Sequence, residues 1–378
     1  MKILLTGGGT GGHFYPLIAV AEAIRDIAQE EKLIDVELYY MSTSKYDERM
    51  LFEHDITFIK NSTGKRRNYR SLLNILDIPK IILGSIRAVF KLYSLYPDVV
   101  FSKGGYPSFP VTFAARVLRI PVVVHESDTV PGKANVWASK FARSVAIAWP
   151  SALERFPQKV QSKIAHTGLP IRRDLLTPIT AGVHEYLRLE KNIPVLLILG
   201  GSQGAQAINE ALINALPILV EKYQIIHQTG EANLAPIQEL ASVILGDSPH
   251  KDRYKPYAYL NTKAMRMAAG VADLVISRAG SSIFEIANWS IPSIIIPIPE
   301  DVSTDQRTNA FMYARTGSAH VIEQKNLTPN ILASEIERIL GDQSLYESMK
   351  TATEAFRFPE ASRKIATELL RISLEHEK

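Results

Sequence analysis

The sequence opens with Lys2-Ile3-Leu4-Leu5-Thr6-Gly7-Gly8-Gly9-Thr10-Gly11-Gly12, a short apolar run that breaks into glycines. A second run of the same kind reads Val195-Leu196-Leu197-Ile198-Leu199-Gly200-Gly201-Ser202-Gln203-Gly204-Ala205. Each run predicts a buried strand, a glycine turn and the start of a helix. Two such units in one chain predict an α/β protein with two Rossmann-like doubly wound domains and a cleft between them.

The rest of the chain alternates between short apolar runs and stretches of helical period. The predicted strands are 2–5, 36–41, 99–101 and 121–124 in the first half, and 195–199, 223–227, 274–276 and 293–296 in the second. Helices are predicted over 17–30, opening after Pro16, over 209–223, and in the tail over 359–377. This alternation is typical of parallel sheets with right-handed crossovers.

Composition excludes several classes of protein. The 378 residues are 46% hydrophobic and 22% charged, which is ordinary for a folded chain and excludes a largely disordered one. A net charge of +4 permits contact with anions without demanding nucleic acid. The sequence has no cysteine, which excludes disulfides and thiol nucleophiles and fits a reducing compartment. The longest apolar stretch, 291–299, contains three prolines and predicts a buried strand, so we expect a soluble or peripheral, intracellular protein.

The first glycine loop satisfies the dinucleotide pattern Gly7-x-Gly9-x-x-Gly12. A nicotinamide site also needs an acid at the end of the second strand, and that strand ends Tyr39-Tyr40-Met41-Ser42-Thr43. The missing acid argues against an oxidoreductase. A glycine turn before a helix still favours an anion site, because free backbone amides point outward with the helix dipole behind them.

Two histidines follow predicted strands. His13 comes directly after the first glycine loop and is a candidate general base, since neutral imidazole accepts a proton near pH 7. The alternative is that these glycines only let strand and helix pack closely. His125-Glu126-Ser127-Asp128 follows the strand 121–124 and can assist proton transfer or hold sugar hydroxyls. Its alternative is a helix N-cap with local hydrogen bonds.

The stretch Ile276-Ser277-Arg278-Ala279-Gly280-Ser281-Ser282-Ile283-Phe284-Glu285 predicts a strand, a turn and a helix start. A carboxylate at Glu285 can accept both hydroxyls of a ribose, although stabilisation of the helix dipole alone also explains an acid there. Polar residues at 305–309 can add contacts to a nucleotide-sugar. Neither Asp-x-Asp nor His-x-x-x-His occurs, so we expect no metal site.

Several motifs lie in order over most of the chain. They are Gly8-Gly9-Thr10-Gly11-Gly12-His13, His125-Glu126, Gly168-x-Pro170-x-Arg172, Gly200-Gly201-Ser202-Gln203-Gly204-Ala205, Ser277-Arg278-Ala279-Gly280 and Gln306-x-x-Asn309. Together they resemble the MurG family of N-acetylglucosaminyltransferases, which convert lipid I to lipid II in bacterial peptidoglycan synthesis. The resemblance implies a GT-B fold and an inverting, metal-independent transferase that takes UDP-N-acetylglucosamine and uses no cofactor.

The resemblance also implies roles for residues. His13 and Glu126 would be catalytic, and His13 is the leading candidate for the base that activates the C4 hydroxyl of the N-acetylmuramyl acceptor. Implied in substrate binding are Thr10, Gly11, Gly12, Asp128, Arg172, Ser202, Leu260, Ser281, Ser282, Glu285 and Gln306. Asp128 stands where the family usually carries Asn, and the turn from Arg278 to Glu285 is one residue shorter than usual.

The same resemblance suggests how the chain is divided. We expect a Rossmann-like acceptor and membrane domain over 1–166, a UDP-sugar domain over 167–350, and a helical tail over 351–378 that can return to the first domain. The implied partners are UDP-N-acetylglucosamine, lipid I (undecaprenyl-pyrophosphoryl-MurNAc-peptide) and an anionic membrane surface, with no nucleic acid. The expected location is peripheral, on the cytoplasmic face of the cell membrane.

A lipid acceptor requires a way onto a bilayer. The basic loop Gly64-Lys65-Arg66-Arg67-Asn68-Tyr69-Arg70 precedes a helical stripe made of Ile78, Ile81, Ile82, Ile86, Val89, Phe90 and Tyr93. Cations beside exposed apolar side chains suit anionic headgroups, but we expect most of this stripe to pack against the sheet. Two alternatives stay open: a GT-B transferase acting on another lipid or natural product, and a nonenzymatic scaffold. Retention of His13, Glu126 and Glu285 argues against the scaffold.

Overall fold

The computed structural model describes residues 1–64, 73–201, 204–300 and 304–376. The chain forms two compact units. One, here called the N-terminal unit, contains Met1–Arg173 and Phe358–Lys378. The other, the C-terminal unit, contains Asp174–Arg357. The basic loop predicted over 64–70 lies outside the described residues from Lys65 onward.

Each unit is built on one parallel sheet. The strands of the N-terminal unit are β1 Lys2–Thr6, β2 Glu37–Ser42, β3 Ile56–Lys60, β4 Val99–Ser102, β5 Val122–Glu126, β6 Ser144–Ile147 and β7 Ile164–His166. Those of the C-terminal unit are β8 Val195–Leu199, β9 Gln224–Gln228, β10 Tyr254–Tyr257, β11 Leu274–Ser277, β12 Ser293–Ile295 and β13 Ala319–Val321. Their orders are β3-β2-β1-β4-β5-β6-β7 and β10-β9-β8-β11-β12-β13. Both follow the Rossmann order, so the α/β class with two Rossmann-like sheets is confirmed.

Helices connect these strands. In chain order they are α1 Gly11–Glu30, α2 Glu48–Glu53, α3 Leu73–Leu95, α4 Ser108–Val117, α5 Lys133–Ser139, α6 Gln158–Gln161, α7 Arg173–Leu176, α8 Val183–Leu187, α9 Gln206–Leu219, α10 Leu234–Leu245, α11 Thr262–Val271, α12 Ser282–Trp289, α13 Thr304–Ala314, α14 Pro329–Gly341, α15 Gln343–Ala352 and α16 Ala361–His376. Strands β4, β5 and β8 are buried at every position, as expected for sheets covered on both faces.

The eight strands expected from the sequence are confirmed, with ends that move by one or two residues. The helix expected to open after Pro16 instead begins at Gly11 and contains Pro16. The first amides of a helix have no partner within it, but Pro16 lies just past the first turn of α1. It therefore removes one hydrogen bond of the helix, and the helix continues through it. Similarly, the helix expected over 209–223 is α9, which begins at Gln206 and ends at Leu219.

Helix α16 completes the core of the N-terminal unit. Its side chains Ile365 and Leu369 are buried in one apolar cluster with Ile3 and Leu5 of β1. The chain therefore leaves this unit at Arg173 and re-enters it at Phe358. The carboxyl ends of parallel strands lie at one edge of each sheet. The predicted site residues follow those strand ends, so they are expected at that edge.

The apolar stripe on α3 does not pack against the sheet, so that expectation is wrong. Phe90 and Tyr93 are 70% and 71% exposed. Also exposed are Ile75, Leu76, Ile78, Ile82, Leu83 and Ile86. The buried side of α3 instead carries Ser85, Ala88 and Leu92, and α3 packs against α4. Within the described ranges, no helix is long and apolar enough to cross a membrane.

Candidate active site

The first glycine loop is held by the end of the neighbouring strand β2. The hydroxyls of Tyr40 and Ser42 donate hydrogen bonds to the Gly7 carbonyl at 3.0 and 2.8 Å. Gly8 has a φ of +127°, and a Cβ there would lie 2.8 Å from both hydroxyl oxygens. Only glycine fits such a position, because a side chain would meet both the backbone strain and the clash. The loop is therefore fixed where α1 begins, while Gly9 and Thr10 stay exposed.

His13 lies in the first turn of α1 and is half-buried. Burial and, less strongly, the positive charge of Lys103 lower the pKa of His13 to about 4, although Asp128 opposes the shift. The imidazole is therefore neutral at pH 7. Its Nδ1 lies 2.9 Å from the Thr10 hydroxyl oxygen. If Nδ1–H donates to Thr10, Nε2 carries the lone pair that a general base needs.

This contact makes Thr10 the candidate for setting the tautomer of His13, and a substitution tests it. Thr10→Val keeps the shape of the side chain but removes the acceptor for Nδ1–H. We expect kcat to fall about tenfold, the equivalent of one lost hydrogen bond. Thr10→Ser keeps the hydroxyl and serves as the control. The kcat of both variants is measured in a sugar-transfer assay. Equal losses in both variants would rule out the tautomer role.

Lys103 is a site residue that sequence reasoning missed. It directly follows β4, is 1% exposed, and its Nζ has no hydrogen-bond partner among the described residues. Burial lowers the pKa of Lys103 to about 8, while Glu126 and Asp128 raise it. A buried ammonium is costly unless an anion compensates it. Its place between an apolar strand and Gly104-Gly105 was the signal available in the sequence.

Glu126 ends β5 and organises the loop that follows. Its carboxylate accepts hydrogen bonds from the amides of Asp128 at 3.0 Å and Gly132 at 2.9 Å, and from Asn135 Nδ2 at 2.9 Å. The side chain is 3% exposed, and burial together with the charge of Asp128 raises its pKa. The local hydrogen bonds of the alternative reading are therefore present, but the N-cap of the following helix α5 is Gly132 and not a residue of this motif. A catalytic role for Glu126 stays a prediction.

His125 and Asp128 lie on either side of Glu126 and differ in exposure. His125 is fully buried, and its Nε2 lies 3.0 Å from the Gly168 carbonyl oxygen. Burial lowers its pKa well below the usual value, so the ring is neutral. Asp128 is half-buried, and its charge acts on both His13 and Glu126. The three predicted residues His13, Glu126 and Asp128 thus lie near one another in the N-terminal unit.

Arg172 belongs to the N-terminal unit, beside the same helix start. Its guanidinium lies 4.3 Å from the centre of the Tyr15 ring on α1, a cation–π distance. Tyr15 in turn lies against Gly11. A Cβ added at Gly11 would be 3.2 Å from the Cε2 atom of Tyr15. Arg172 is therefore joined to the start of α1 through Tyr15, which lies against Gly11.

The second glycine loop follows β8 in the C-terminal unit, with Ser202 and Gln203 outside the described residues. Gly204 has a φ of +77°, and a Cβ there would lie 2.1 Å from the Thr229 carbonyl oxygen, so only glycine fits. Gln228, at the end of β9, donates to the Gly201 carbonyl and accepts from the Leu260 amide, both at 3.0 Å. Gln228 therefore joins this loop to the predicted donor residue Leu260, a link that sequence reasoning missed.

The turn after β11 carries three predicted donor residues. Ser281 precedes the first turn of α12, Ser282 begins the helix, and Glu285 lies in its first turn. The Ser282 hydroxyl lies 3.0 Å from that of Ser277 and donates to the Arg278 carbonyl at 3.3 Å. Arg278 donates to the carbonyls of Ile296 and Pro297 at 3.1 and 3.2 Å. The turn is thereby fixed to the end of β12.

Gln306 on α13 lies beside this turn. Its Nε2 would be 4.0 Å from a Cβ on Gly280. Asn309, one helical turn further, donates to the Ala279 carbonyl at 3.3 Å. The C-terminal unit thus brings Gln306 together with Ser281, Ser282 and Glu285, and separately joins Leu260 to the glycine loop. Over the parts of the chain described, no group of three or more His, Asp or Glu residues is placed to hold a metal ion.

Comparison with known proteins gives a consistent result. Residues 3–147 match the glycosyltransferase family 28 N-terminal domain, and residues 195–365 match the family 28 C-terminal domain. Curated proteins named UDP-N-acetylglucosamine–N-acetylmuramyl-(pentapeptide) pyrophosphoryl-undecaprenol N-acetylglucosamine transferase are similar over nearly the whole chain. The Treponema denticola protein is 32% identical, covering 97% of this chain and 94% of its own, and the Shouchella clausii protein 36%, covering 97% and 96%.

Solved structures agree with these relatives. The crystal structure of Acinetobacter baumannii MurG is 26% identical, covers 98% of this chain and 99% of its own, and has a TM-score of 0.71. A UDP-GlcNAc 2-epimerase from Neisseria meningitidis, 15% identical with a TM-score of 0.66 over 98% of this chain and all of its own, shares the fold alone. On these matches and on the motifs that carry its two sites, the chain belongs to glycosyltransferase family 28 and, within it, to the MurG family.

Proposed function

We propose that this chain transfers N-acetylglucosamine from UDP-N-acetylglucosamine to the C4 hydroxyl of the N-acetylmuramyl unit of lipid I. The product is lipid II, the lipid-linked disaccharide of peptidoglycan synthesis. The proposal is supported by relatives named for this transfer over 97% of the chain, and by matches to both family 28 domains. In this proposal the N-terminal unit binds the acceptor and the C-terminal unit binds most of the donor.

A neutral His13 at the start of α1 is the observation that carries the proposal. Its Nε2 takes the proton of the acceptor C4 hydroxyl, and that oxygen attacks the anomeric carbon of the donor sugar. The bond from this carbon to the UDP oxygen breaks, and its electron pair leaves with UDP. Attack from the opposite face inverts the anomeric centre and gives a β1–4 link. Lys103, buried behind His13, disfavours protonation of the imidazole before the acceptor binds.

Donor binding is assigned to the strand ends of the C-terminal unit. Helices α9 and α12 begin directly behind the glycine loop and the turn after β11, so their free amides can meet the diphosphate without a metal ion. Glu285 accepts the ribose hydroxyls as charge-assisted hydrogen bonds. Leu260 and Gln306 lie beside these two loops and would contact the nucleoside.

The direct test is transfer of labelled sugar from UDP-N-acetylglucosamine to a water-soluble, short-chain lipid I analogue, with a chelator present. The expected result is a labelled β1–4 disaccharide product that forms equally with and without chelator. Product with a different lipid or natural-product acceptor, and none with the lipid I analogue, would replace this function by another family 28 transfer. Loss of product on chelation would overturn the metal-independent mechanism.

We also propose that α3 docks the chain on an anionic membrane surface, at the cytoplasmic face where lipid I would be met. The exposed stripe defined above is continuous along the helix, and a soluble protein seldom shows such an apolar patch without a partner. Arg87 is exposed on the same helix, and Lys80 and Lys91 lie along it. Basic side chains beside an apolar helix face are typical of interfacial helices, and each adds about 1 kcal/mol near an anionic surface.

A substitution on this stripe tests the membrane proposal. Phe90→Asp removes an apolar side chain and adds a negative charge, so binding to vesicles containing phosphatidylglycerol should weaken by about tenfold or more. Phe52→Asp is the matched control, because Phe52 on α2 is 86% exposed but lies off the stripe. Vesicle sedimentation measures both variants. Equal binding by Phe90→Asp and the unchanged protein would remove α3 as the docking surface.

A further inference from the structure

Tyr46, in the loop between β2 and α2, is held in an unfavourable backbone conformation. Its φ is +58°, and the Asp47 amide donates to the Lys45 carbonyl at 2.8 Å, which closes a three-residue turn around it. A turn of this form with positive φ is rare, and the left-handed region is strained for a residue with a side chain. Strain of this kind persists only where the surrounding structure enforces it.

The usual explanation for positive φ does not apply to Tyr46. Most of the other described non-glycine residues with positive φ lie one or two positions past the end of a helix: Lys32, Asp55, Tyr96, Arg119, Arg188 and Ser290. A left-handed residue is the ordinary way for a helix to end. Tyr46 instead precedes α2, whose N-cap is Asp47. Helix termination therefore gives no reason for its strain.

The strained turn places the Tyr46 ring against the first glycine loop. Its ring centre lies 5.1 Å from that of Phe14 and 5.9 Å from that of Tyr15, both on the first turns of α1. Its hydroxyl oxygen would be 2.9 Å from a Cβ on Gly11. On the loop itself, Tyr106 Cε1 would lie 3.2 Å from a Cβ on Gly9. Two tyrosines thus flank the segment that leads into His13.

This position suits contact with a sugar. Tyr46 is 39% exposed, and the neighbouring Gly9 and Thr10 are exposed as well. Ligand sites combine aromatic surface with a few polar groups that fix orientation, and a tyrosine ring offers rigid apolar area at little entropic cost. Gly11 comes two residues before His13, so the Tyr46 ring lies beside the segment at which a ligand would present its hydroxyl to His13.

We propose that Tyr46 is an acceptor-binding residue, whose ring packs against the sugar that presents its hydroxyl to His13. The strained turn at Tyr46 is what places the ring beside Gly11. This inference rests on the proposed function and names a further specificity residue for it. The ring contributes to acceptor binding alone, so its removal changes the KM for the acceptor and leaves the KM for UDP-N-acetylglucosamine as it is.

The test compares Tyr46→Gly and Tyr46→Phe with the unchanged protein, on the same short-chain lipid I analogue. Tyr46→Gly removes the ring and the strain together, and we expect its acceptor KM to rise about tenfold, the range of one aromatic contact. Tyr46→Phe keeps the ring and should stay within about twofold of the unchanged protein. The midpoint of urea unfolding is measured for each variant, so that the KM values are compared on folded protein.

Tyr96→Gly is the matched control, because Tyr96 is also an exposed tyrosine with positive φ, at +45°, but follows α3. Its acceptor KM should not change. An unchanged acceptor KM in Tyr46→Gly, or an equal rise in Tyr96→Gly, would overturn the inference. The proposed function would still stand in that case, because the unchanged protein would carry out the transfer. An equal rise in Tyr46→Phe would also overturn it, since the ring would then not be the contact. Absence of transfer by the unchanged protein would overturn the proposed function, and this inference with it.

Discussion

His13→Ala is expected to lower kcat about a thousandfold, the middle of the range for losing a positioned general base. The expectation follows from the imidazole in the first turn of α1, where a pKa of about 4 keeps the ring uncharged and its Nδ1 lies 2.9 Å from the Thr10 hydroxyl oxygen. No other described imidazole of the N-terminal site can replace it, since His125 is fully buried. Single-turnover transfer of labelled sugar measures the loss at saturating acceptor.

The control for this prediction is donor binding. His13 lies in the N-terminal unit, so His13→Ala should keep the affinity for UDP measured by calorimetry. An equal kcat in His13→Ala and the unchanged protein would mean that another group, or water, takes the proton. A loss of UDP affinity that accounts for the fall in rate would equally contradict the role of a base.

The pH dependence follows from the same contacts, with a sign that can be worked out. Because the pKa of His13 is about 4, the base stays competent as pH falls, until protonation near that value stops the reaction. Lys103 disfavours the protonated ring, so Lys103→Met raises the pKa of His13 and moves the acid limb of kcat/KM to higher pH. Methionine keeps the length of the buried side chain. An acid limb that stays in place in Lys103→Met would mean that Lys103 does not set the pKa of His13.

Glu126→Gln should reduce the free energy of unfolding of the N-terminal unit by about 3 kcal/mol, although the side chains have nearly the same shape. Both carboxylate oxygens of Glu126 accept hydrogen bonds, and all three partners are N–H donors. An amide puts its own N–H₂ group against at least one of those donors, inside a site that is 3% exposed. The loop from Asp128 to Asn135 then loses its anchor.

Urea unfolding followed by tryptophan fluorescence measures this change. Trp149 is a suitable reporter, since it is buried and its indole N–H donates to the Ser127 carbonyl at 2.8 Å. Ser127 directly precedes the loop that Glu126 anchors. Glu31→Gln, at an exposed position after α1, should stay within about 0.5 kcal/mol. If Glu126→Gln keeps full stability but loses activity, the carboxylate has a direct catalytic role and the organising role is wrong.

The central strands could be predicted because their apolar runs are unbroken. Strands such as Val195–Leu199 are buried on both faces, and a short unbroken apolar run that ends in glycines is typical of such a strand. The strands that were missed lie mainly at the outer positions of the sheets, where burial is incomplete and polar residues intervene. β10 contains Lys255 and Pro256, and two of the three residues of β7 are exposed. Proline is tolerated at such an edge, although it weakens the strand pattern.

The site could be predicted only where its residues are close in sequence. The glycine loop, His13 and Glu126 follow strand ends, and that is visible in the chain itself. Lys103 was missed because lysine is normally exposed, and its burial depends on strands distant in sequence. The stripe on α3 could be identified in the sequence, but the direction in which it faces could not. Helical period identifies an apolar face but not its direction, and the side of α3 that packs is the one with Ser85, Ala88 and Leu92.

The re-entry of α16 into the N-terminal unit has a consequence for synthesis on the ribosome. Residues 174–357 form a contiguous unit and can fold as soon as they have emerged. The sheet of the N-terminal unit is translated earlier, yet the side chains of Ile365 and Leu369 that cover β1 are made later. Nascent β1 and α1 therefore wait with part of their shared apolar cluster uncovered while about half of the chain is still to be translated. The part of the protein that is made first is completed last.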